Sequence, residues 1–503
     1  MALSLISTPY VYEPIYTLNM ATEMSSTFKT EENFKYLFNL YVGNPGSYSL
    51  VNVISTYPRP TGNGVYSPHA ILQSYCETIL NPFTASIFSN SGSKIYYYFT
   101  LGETYNPDLT FNDTYLASSY VGNKLGFEFL TNITTELFIG DLITVDKDNI
   151  SINSWINGTA SIIGITNSSL SGYSKTVLTD RDLQTSVYST GESGKIINLT
   201  RYGLTSSEYV GWNAARQYEN KSDFFNEYIL RQGSTQSKFL SVYETAYSSN
   251  LLDKKCIYTN EWETLDIITA TFGLATFSTI YTEYTYFDSN GTVLGTDSIS
   301  STQTTTEQKM QLRFTVPTGT NNINLIGGSG SSFLNSGLLS SYNIRIGIGT
   351  QSGGIQHYIT DLFNYKICQD CRPYEVIRLA FLNKLGGFDY WSFNLVSKYT
   401  SSINRNQINR ALPYDYQIGD RGRDVIYSEA VENWTINTDF LTDDNALFIR
   451  ELVESSNVYV IEDNEYIPVV ITSNNWQFKS GLLDGYVQYT IEYQKSYDTI
   501  INR

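Results

Sequence analysis

The chain has 503 residues and a formal net charge of −17, with 41% hydrophobic, 16% charged and 15% aromatic residues. This acidic balance argues against a general nucleic-acid binder, whose affinity comes from neutralising phosphates with lysine and arginine. The sequence has no run of about 18 apolar residues, so it predicts no membrane-spanning helix. Because tyrosine, threonine and β-branched residues favour pleated surfaces, the composition predicts a mainly β protein.

An extended N-terminal arm is predicted over residues 1–31, reaching another subunit or lying along the body of the protein. Its tyrosines Tyr10, Tyr12 and Tyr16 are candidate contact residues, because tyrosine is enriched at protein interfaces. The same region lacks the basic and apolar segments of a signal peptide, so we expect synthesis in a cytoplasm.

A β-rich domain is predicted over residues 32–205. Apolar residues alternate over 34–42 and predict a strand, which a GNPG turn joins to a second strand. Ser67, followed by proline, predicts the start of a short helix. From about residue 94 to 200, short strands alternate with polar turns, a spacing typical of a sandwich or barrel.

A middle β-sandwich domain is predicted over residues 206–372. The aromatic residues of 207–265 suit either a core or a contact face, and aromatics at such spacings are more often core. Farther along, two strands flank Asn290-Gly291, the preferred two-residue hairpin turn. This part of the chain is therefore expected to be another β module.

The four cysteines are too few to cross-link a chain of this length. Cys76 and Cys256 stand alone, whereas Cys368 and Cys371 form a CxxC motif. Without a second such motif or a paired histidine, a zinc site is the weaker interpretation. Two thiols at the end of a strand, in a reducing compartment, are the interpretation we favour. No metal or other cofactor is predicted.

A small α+β module is predicted over residues 373–503. It opens with the clearest hairpin of the sequence, two strands over 375–382 and 388–395 joined by a turn with adjacent glycines. Thr442 predicts the cap of a helix that ends at Glu454. We therefore expect a mainly β, multidomain protein with β-sandwich or Ig-like modules and this α+β module at its C-terminus.

A basic stretch follows the predicted hairpin. Between Asp389 and Asp415 the sequence has no acid, and Lys398, Arg405 and Arg410 give it a local charge of +3. One interpretation is a solvated loop. The other is a docking loop for an acidic neighbouring subunit, in which these three side chains make the contact.

Signatures of catalysis are weak in this sequence. The two histidines, His69 and His357, have no neighbouring motif that would supply the carboxylate of a hydrolytic triad. The GGSGSS stretch at 327–332 lacks the lysine of a phosphate-binding loop. A glycosidase needs only two carboxylates across a cleft, and the sequence neither excludes such a pair nor identifies one.

Several segments resemble virion proteins of tailed phages that infect Bacteroidota, the crAss-like phages among them. At the N-terminus they are PYVYEPIY, FKYLFNLYV and YSPHAILQSYCETIL, and in the middle they are RQYENKSDFFNEYIL, KFLSVYET and EWETL. At the C-terminus they are RLAFLNKLGGFDYWSF, the segment from RGRDVIYSEAV to YIPVVI, and YTIEYQ. The most specific of these is FLNKLGGFDYW, whereas residues 94–200 match no part of the pattern.

The resemblance implies a structural component of a tail, neck or baseplate, present in many copies as a ring or collar, with no catalytic residues to transfer. We therefore expect a non-enzymatic virion protein whose partners are copies of itself and other tail or neck proteins. A ring requires two different contact faces on each subunit. Two alternatives remain open: a receptor-binding tail protein that stacks exposed aromatic residues on host glycans, and a virion glycan hydrolase.

Overall fold

The computed structural model of the chain describes residues 3–16, 21–107, 109–111, 113–117, 124–129, 133, 137–147, 158–167, 174–182, 194–215, 227–230, 236–243, 254–269, 279–302, 310–326, 328–350, 353–368, 374–473, 488–497 and 499–502. Across these ranges the fold is mainly β and is built from several sheets, as the composition predicts. No helix within them is long and apolar enough to cross a membrane.

Strands dominate the first half of the chain. In order, the elements are β1 (Leu3–Ser7), β2 (Tyr12–Tyr16), β3 (Thr22–Ser26), β4 (Glu32–Asn44), β5 (Ser47–Thr56), β6 (Gly64–Tyr66), α1 (His69–Leu72), β7 (Ser86–Ser89), β8 (Lys94–Asn106), β9 (Leu109–Phe111), β10 (Asp113–Ala117), β11 (Lys124–Phe129), β12 (Leu142–Lys147), β13 (Gly158–Asn167), β14 (Lys175–Asp182), β15 (Gly194–Thr205) and β16 (Tyr209–Ala215).

In its described residues, the second half adds three α-helices. In order, its elements are β17 (Ile229–Leu230), β18 (Lys255–Ile257), β19 (Trp262–Thr269), β20 (Thr279–Phe287), β21 (Val293–Thr302), β22 (Met310–Pro317), α2 (Thr320–Ile323), α3 (Gly330–Asn335), β23 (Ser341–Thr350), β24 (Gly354–Tyr358), β25 (Phe363–Ile367), β26 (Ile377–Leu382), β27 (Phe388–Phe393), β28 (Lys398–Asn409), β29 (Arg423–Asn437), α4 (Asp443–Glu454), β30 (Val458–Glu462), β31 (Glu465–Ile471), β32 (Thr490–Lys495) and β33 (Thr499–Asn502).

The chain divides into two compact units and passes from one to the other three times. The first unit comprises Met1–Cys76 and Ile95–Trp212, and the second comprises Glu77–Lys94 and Asn213–Arg503. The first unit ends close to the predicted boundary after residue 205, although a segment inside that predicted domain belongs to the second unit. The predicted boundary after residue 372 falls inside the second unit.

The first unit contains a three-stranded sheet, in the order β1-β3-β6, and a twelve-stranded sheet that includes β2, β4, β5 and β8. The N-terminal residues differ from the extended arm that the sequence predicts. β1 pairs with β3 in antiparallel register, and β2 lies at an edge of the larger sheet. Ile15 and Met24 are fully buried in the core cluster of the first unit, so part of this region belongs to that core.

Helix α1 is shorter than the sequence predicts. It spans His69–Leu72 and continues only as a single 3₁₀ turn, Gln73–Tyr75. Pro68 occupies the N-cap position, so no side chain caps the helix, and the hydroxyl of Ser67 instead forms a hydrogen bond with His69 Nδ1 at 2.8 Å. An uncapped N-terminus leaves the first N–H groups without partners, which weakens a short helix.

The second unit contains three sheets around one hydrophobic core. Their orders are β17-β19-β22-β7, β18-β25-β23-β20-β21 and β27-β26-β30-β31-β32-β29-β28. Buried side chains from each sheet pack in a single cluster, among them Leu265 of β19, Tyr284 of β20 and Phe381 of β26. This shared core is why residues on both sides of position 372 fold as one unit.

The C-terminal elements confirm two local predictions. β26 and β27 pair as the predicted hairpin, and Gly386 in its turn has φ of +86°. A Cβ at this glycine would lie 2.4 Å from the carbonyl oxygen of Asn213, so the turn requires glycine. α4 follows Thr442, whose hydroxyl accepts the N–H of Asn445 at 3.4 Å as an N-cap.

Candidate interaction surface

The three tyrosines predicted as contacts lie in the first unit, at or beside β2. Tyr10 and Tyr16 are exposed, and Tyr12 is half-buried. Partial burial of the Tyr16 side chain raises the pKa of its hydroxyl. The backbone N–H of Tyr10 donates to Glu13 Oε1 at 2.9 Å. These tyrosines therefore lie on an edge strand of a folded unit rather than on an extended arm.

The predicted basic loop is a strand. Lys398 and Arg405 lie on β28, Arg410 follows it directly, and all three side chains are exposed. β28 pairs with β29 in antiparallel register from Lys398↔Thr435 to Asn409↔Arg423, with one irregularity after Asn406. The prediction of a loop was wrong because this polar strand lacks the apolar alternation by which half-buried strands are recognised.

In the β28–β29 hairpin, β28 is exposed along its length, whereas β29 is mostly half-buried. Every residue of β28 is exposed, and β28 is an edge of the eight-stranded sheet. The base is anchored by Trp434 of β29, which stacks on the ring of Tyr493 at 5.4 Å between ring centroids and contacts Tyr399 at 5.1 Å. An edge strand presents backbone N–H and C=O groups that another chain can pair with.

The tip of the hairpin, residues 410–422, is held by hydrogen bonds and exposes several apolar side chains. The N–H of Tyr416 donates to the carbonyl of Pro413 at 3.2 Å, and the N–H of Asp420 donates to the carbonyl of Gln417 at 2.9 Å. The N–H of Gln417 in turn donates to Asp420 Oδ2 at 2.8 Å. Four large apolar or aromatic side chains of the tip are exposed: Leu412, Tyr414, Tyr416 and Ile418.

The charge of the whole hairpin is balanced, although the stretch between Asp389 and Asp415 carries a local charge of +3. Residues 398–437 contain five basic and five acidic side chains: Lys398, Arg405, Arg410, Arg421 and Arg423, and Asp415, Asp420, Asp424, Glu429 and Glu432. Arg410 Nε donates to Asp424 Oδ2 at 2.8 Å across the hairpin. The ten charges sum to zero, so the net charge of −17 lies outside the hairpin.

The first unit carries a pocket of about 220 Å³. Its lining residues are Leu3, Phe138, Ile139, Gly140, Asp141, Arg201, Tyr202 and Gly203. Arg201 donates to Asp141 Oδ2 at 2.7 Å and to Glu103 Oε1 at 3.2 Å, and its guanidinium lies 4.4 Å from the centroid of the Phe138 ring. The pocket therefore combines a polar, ion-paired wall with an apolar one. No motif in the sequence identified it.

A buried group of charges lies in the second unit and serves the fold. Arg378 pairs with Glu261 at 2.8 Å and with Glu263 at 3.0 Å, and Lys255 pairs with Glu263 at 2.7 Å. All four side chains are at most 8% exposed. The hydroxyl of Tyr365 donates a hydrogen bond to Glu263 Oε2 at 2.9 Å. These acids hold β19, β18 and β26 together.

The cysteines differ from the predicted free thiols. Cys256 of β18 and Cys368, just after β25, form a disulfide with a Cα–Cα distance of 5.6 Å, within the usual range. Parallel pairing of β18 with β25 brings them together. Cys76 is a free thiol, and Cys371 lies outside the described residues. Across the described ranges no cluster of histidine, cysteine, aspartate and glutamate is arranged to hold a metal ion.

Comparisons with known proteins identify no family. No family model matches the sequence, and no curated protein matches it. The solved structures that match include one titled a glycosyl hydrolase family 2 member from Bacteroides cellulosilyticus, with 11% identity and a TM-score of 0.13. The match covers 72% of this chain and 37% of that chain. A likeness this distant carries no argument about fold or function.

Proposed function

We propose that this chain is a non-enzymatic structural protein of a tailed-phage virion, which assembles through contacts between copies into a ring of the tail, neck or baseplate. Other tail or neck proteins are its further partners, and it is made in the cytoplasm of the host bacterium. The observation that carries this proposal is the β28–β29 hairpin, whose apolar tip is exposed in the single chain.

Exposed apolar clusters on a soluble chain mark interaction sites, because leaving such surface in water is unfavourable. The tip concentrates Tyr414 and Ile418, both fully exposed, beside Leu412 and Tyr416. β29 pairs with β32 over Asn433–Asn437 and with β33 over Tyr427–Ala430, so only the end of the hairpin beyond Tyr427 is a two-stranded ribbon. Such a ribbon gains stability when another chain covers it. The hairpin is thus better suited to a contact between chains than to packing within one.

The carboxylates at the centre of the second unit also support a structural role. Glu261 and Glu263 are buried against Arg378, and Asp266 is paired with Arg313 at 2.8 Å. Each of these acids is committed to an ion pair in the core, so they stabilise the fold rather than face a cleft.

Replacing residues 410–422 by Asn-Gly tests the proposal. Asn409 and Arg423 are the last paired residues, and Asn-Gly is the preferred two-residue turn, so the hairpin should close without its tip. We expect the full-length protein to form oligomers by light scattering and rings by electron microscopy, and the shortened protein to remain monomeric.

Leu325→Ser is the matched control, because Leu325 is 66% exposed in the second unit and lies outside the hairpin. This variant should assemble as the unchanged protein does. Circular dichroism should show that all three proteins are folded. A shortened protein that still forms the same oligomer, or an unchanged protein that is monomeric at every concentration, would refute the proposal.

A further inference from the structure

We propose that the hairpin tip of one copy inserts Tyr414 into the pocket of the first unit of the next copy. This inference rests on the proposed self-assembly and adds the surface that receives the tip. Because the tip and the pocket are different surfaces of the same chain, the contact is head-to-tail. Repeated contacts of this kind close into a ring or extend as a filament.

The tip suits insertion because it projects an aromatic side chain from an ordered turn. Tyr414 is 109% exposed relative to a reference tyrosine, so the fold covers none of it. The turn around it is held by the hydrogen bonds of Tyr416 and of the Gln417–Asp420 pair. An ordered turn loses little conformational entropy on binding, so more of the contact energy remains.

The pocket matches one aromatic ring in size. It measures about 220 Å³, and an engineered apolar cavity of about 150 Å³ is known to take up benzene. Phe138, Ile139 and Tyr202 supply apolar surface and are exposed in the single chain at 43%, 68% and 44%. Insertion of a ring would remove part of this apolar surface from water.

The polar wall of the pocket favours tyrosine over a purely apolar residue. Arg201 and Asp141 line it and form an ion pair at 2.7 Å. A tyrosine can bury its ring while its hydroxyl meets a carboxylate or guanidinium, which is why tyrosine is enriched where one end of a site is apolar and the other polar. Ile418, the other fully exposed side chain of the tip, lacks such a group.

Charge favours a second copy of this chain as the partner. The hairpin has no net charge, whereas the rest of the chain carries −17. Two acidic bodies repel each other at short range, and a neutral projection can cross to the neighbour without adding to that repulsion. A basic partner, in contrast, would be attracted to the acidic remainder of the chain rather than to the neutral hairpin.

Two single variants separate the two sides of the contact. Tyr414→Ala removes the inserted ring and leaves the pocket intact. Gly203→Phe fills the pocket and leaves the tip intact, and a Cβ at Gly203 meets only Leu3 Cδ1 at an ordinary 3.6 Å. Each variant alone should weaken self-association about tenfold or more, as expected for loss of a central aromatic anchor.

Mixing the variants gives the decisive measurement. The intact tip of Gly203→Phe should enter the intact pocket of Tyr414→Ala, and no further subunit can add. Light scattering should therefore show a 1:1 heterodimer from two monomeric variants. Leu325→Ser on the second unit and Leu50→Phe on the first unit are matched controls at exposed residues away from the tip and the pocket, and both should assemble normally.

The possible failures can be told apart. If Gly203→Phe assembles as the unchanged protein does, while removal of the tip abolishes assembly, the pocket is the wrong receptor and the proposed function stands. If removal of the tip has no effect, the proposed function fails as well. If Gly203→Phe does not fold, Ile139→Asp tests the same rim, and normal assembly of that variant overturns the inference.

Discussion

The β26–β27 and β28–β29 hairpins belong to the same eight-stranded sheet, and their surroundings are opposite. In β26–β27, Leu379, Phe381 and Tyr390 are fully buried. In β28 every side chain is exposed. Both hairpins pair in antiparallel register, β28–β29 with one irregularity after Asn406, so the same kind of backbone pairing supports a core in one and a free surface in the other.

Charged residues show the same contrast. Arg378 of β26 is buried and paired with two glutamates, whereas Arg410 pairs with Asp424 while its side chain is 64% exposed. A buried ion pair cannot lose one member without leaving an unpaired charge in the core. An exposed pair loses little, because water and salt screen it. The contribution of an arginine ion pair to stability therefore depends on how buried the pair is, and not on which strand carries the arginine.

The largest expected effect follows from removing the buried arginine. Arg378→Met leaves Glu261 and Glu263 with Lys255 as their remaining cation in the described cluster, and should lower the free energy of unfolding by about 3–5 kcal/mol. Arg410→Met, on the exposed hairpin, should change it by about 0.5 kcal/mol or less. Denaturant unfolding of both variants measures the difference, and equal losses would remove the contrast between the hairpins.

A pH dependence is expected in the buried hairpin. Burial raises the pKa of Asp389 in β27, against the lowering effects of Lys255 and of donors such as Ser241. Because the folded chain then holds this proton more tightly than the unfolded chain, the stability contribution is complete below the ordinary pKa of 3.8 and is lost as pH rises through the folded pKa.

Asp389→Asn cannot titrate, so the free energy of unfolding of the unchanged protein should fall relative to that of this variant as pH rises above 3.8. Denaturant unfolding at a series of pH values measures that difference. If the free energy of unfolding of the unchanged protein instead rises with pH relative to that of the variant, the hydrogen bonds from Ser241, Val242 and Asn383 outweigh the effect of burial.

The smallest effect is expected from the exposed charges. Replacing Lys398, Arg405 and Arg410 together by glutamine should leave the fold intact and weaken assembly less than removal of the tip, because each exposed charge contributes about 0–1 kcal/mol. The weakening should be greater at low salt than at high salt. Sedimentation at two salt concentrations checks this, and assembly unchanged at both would exclude these residues from the contact.

The sequence predicted the buried hairpin better than the exposed one. β26, β27 and the capped helix α4 follow from local signals: alternation, adjacent glycines and the side chain of Thr442. The charge balance of the exposed hairpin depends on the pairing of β28 with β29, since three of its acids lie on β29 and two of its bases on β28. Local charge counts miss such pairing.

Two further features depend on contacts between residues far apart in the sequence. The disulfide joins residues 112 positions apart through a parallel pairing that no local pattern signals. The pocket forms where the pairing of β12 with β15, with Leu142 opposite Thr200, brings Asp141 near Arg201. Both the disulfide and the pocket depend on tertiary structure, so local patterns in the sequence do not predict them.

The three crossings between the units set an order for folding during synthesis. β7 leaves the ribosome early, yet its partner β22 is made only after the first unit has been completed at Trp212. The segment Glu77–Lys94 therefore lacks its sheet partner while more than a hundred further residues are synthesised. Since domains tend to fold as they emerge, the second unit is expected to form last and to depend on this waiting segment, and a nascent chain released early would leave it uncovered.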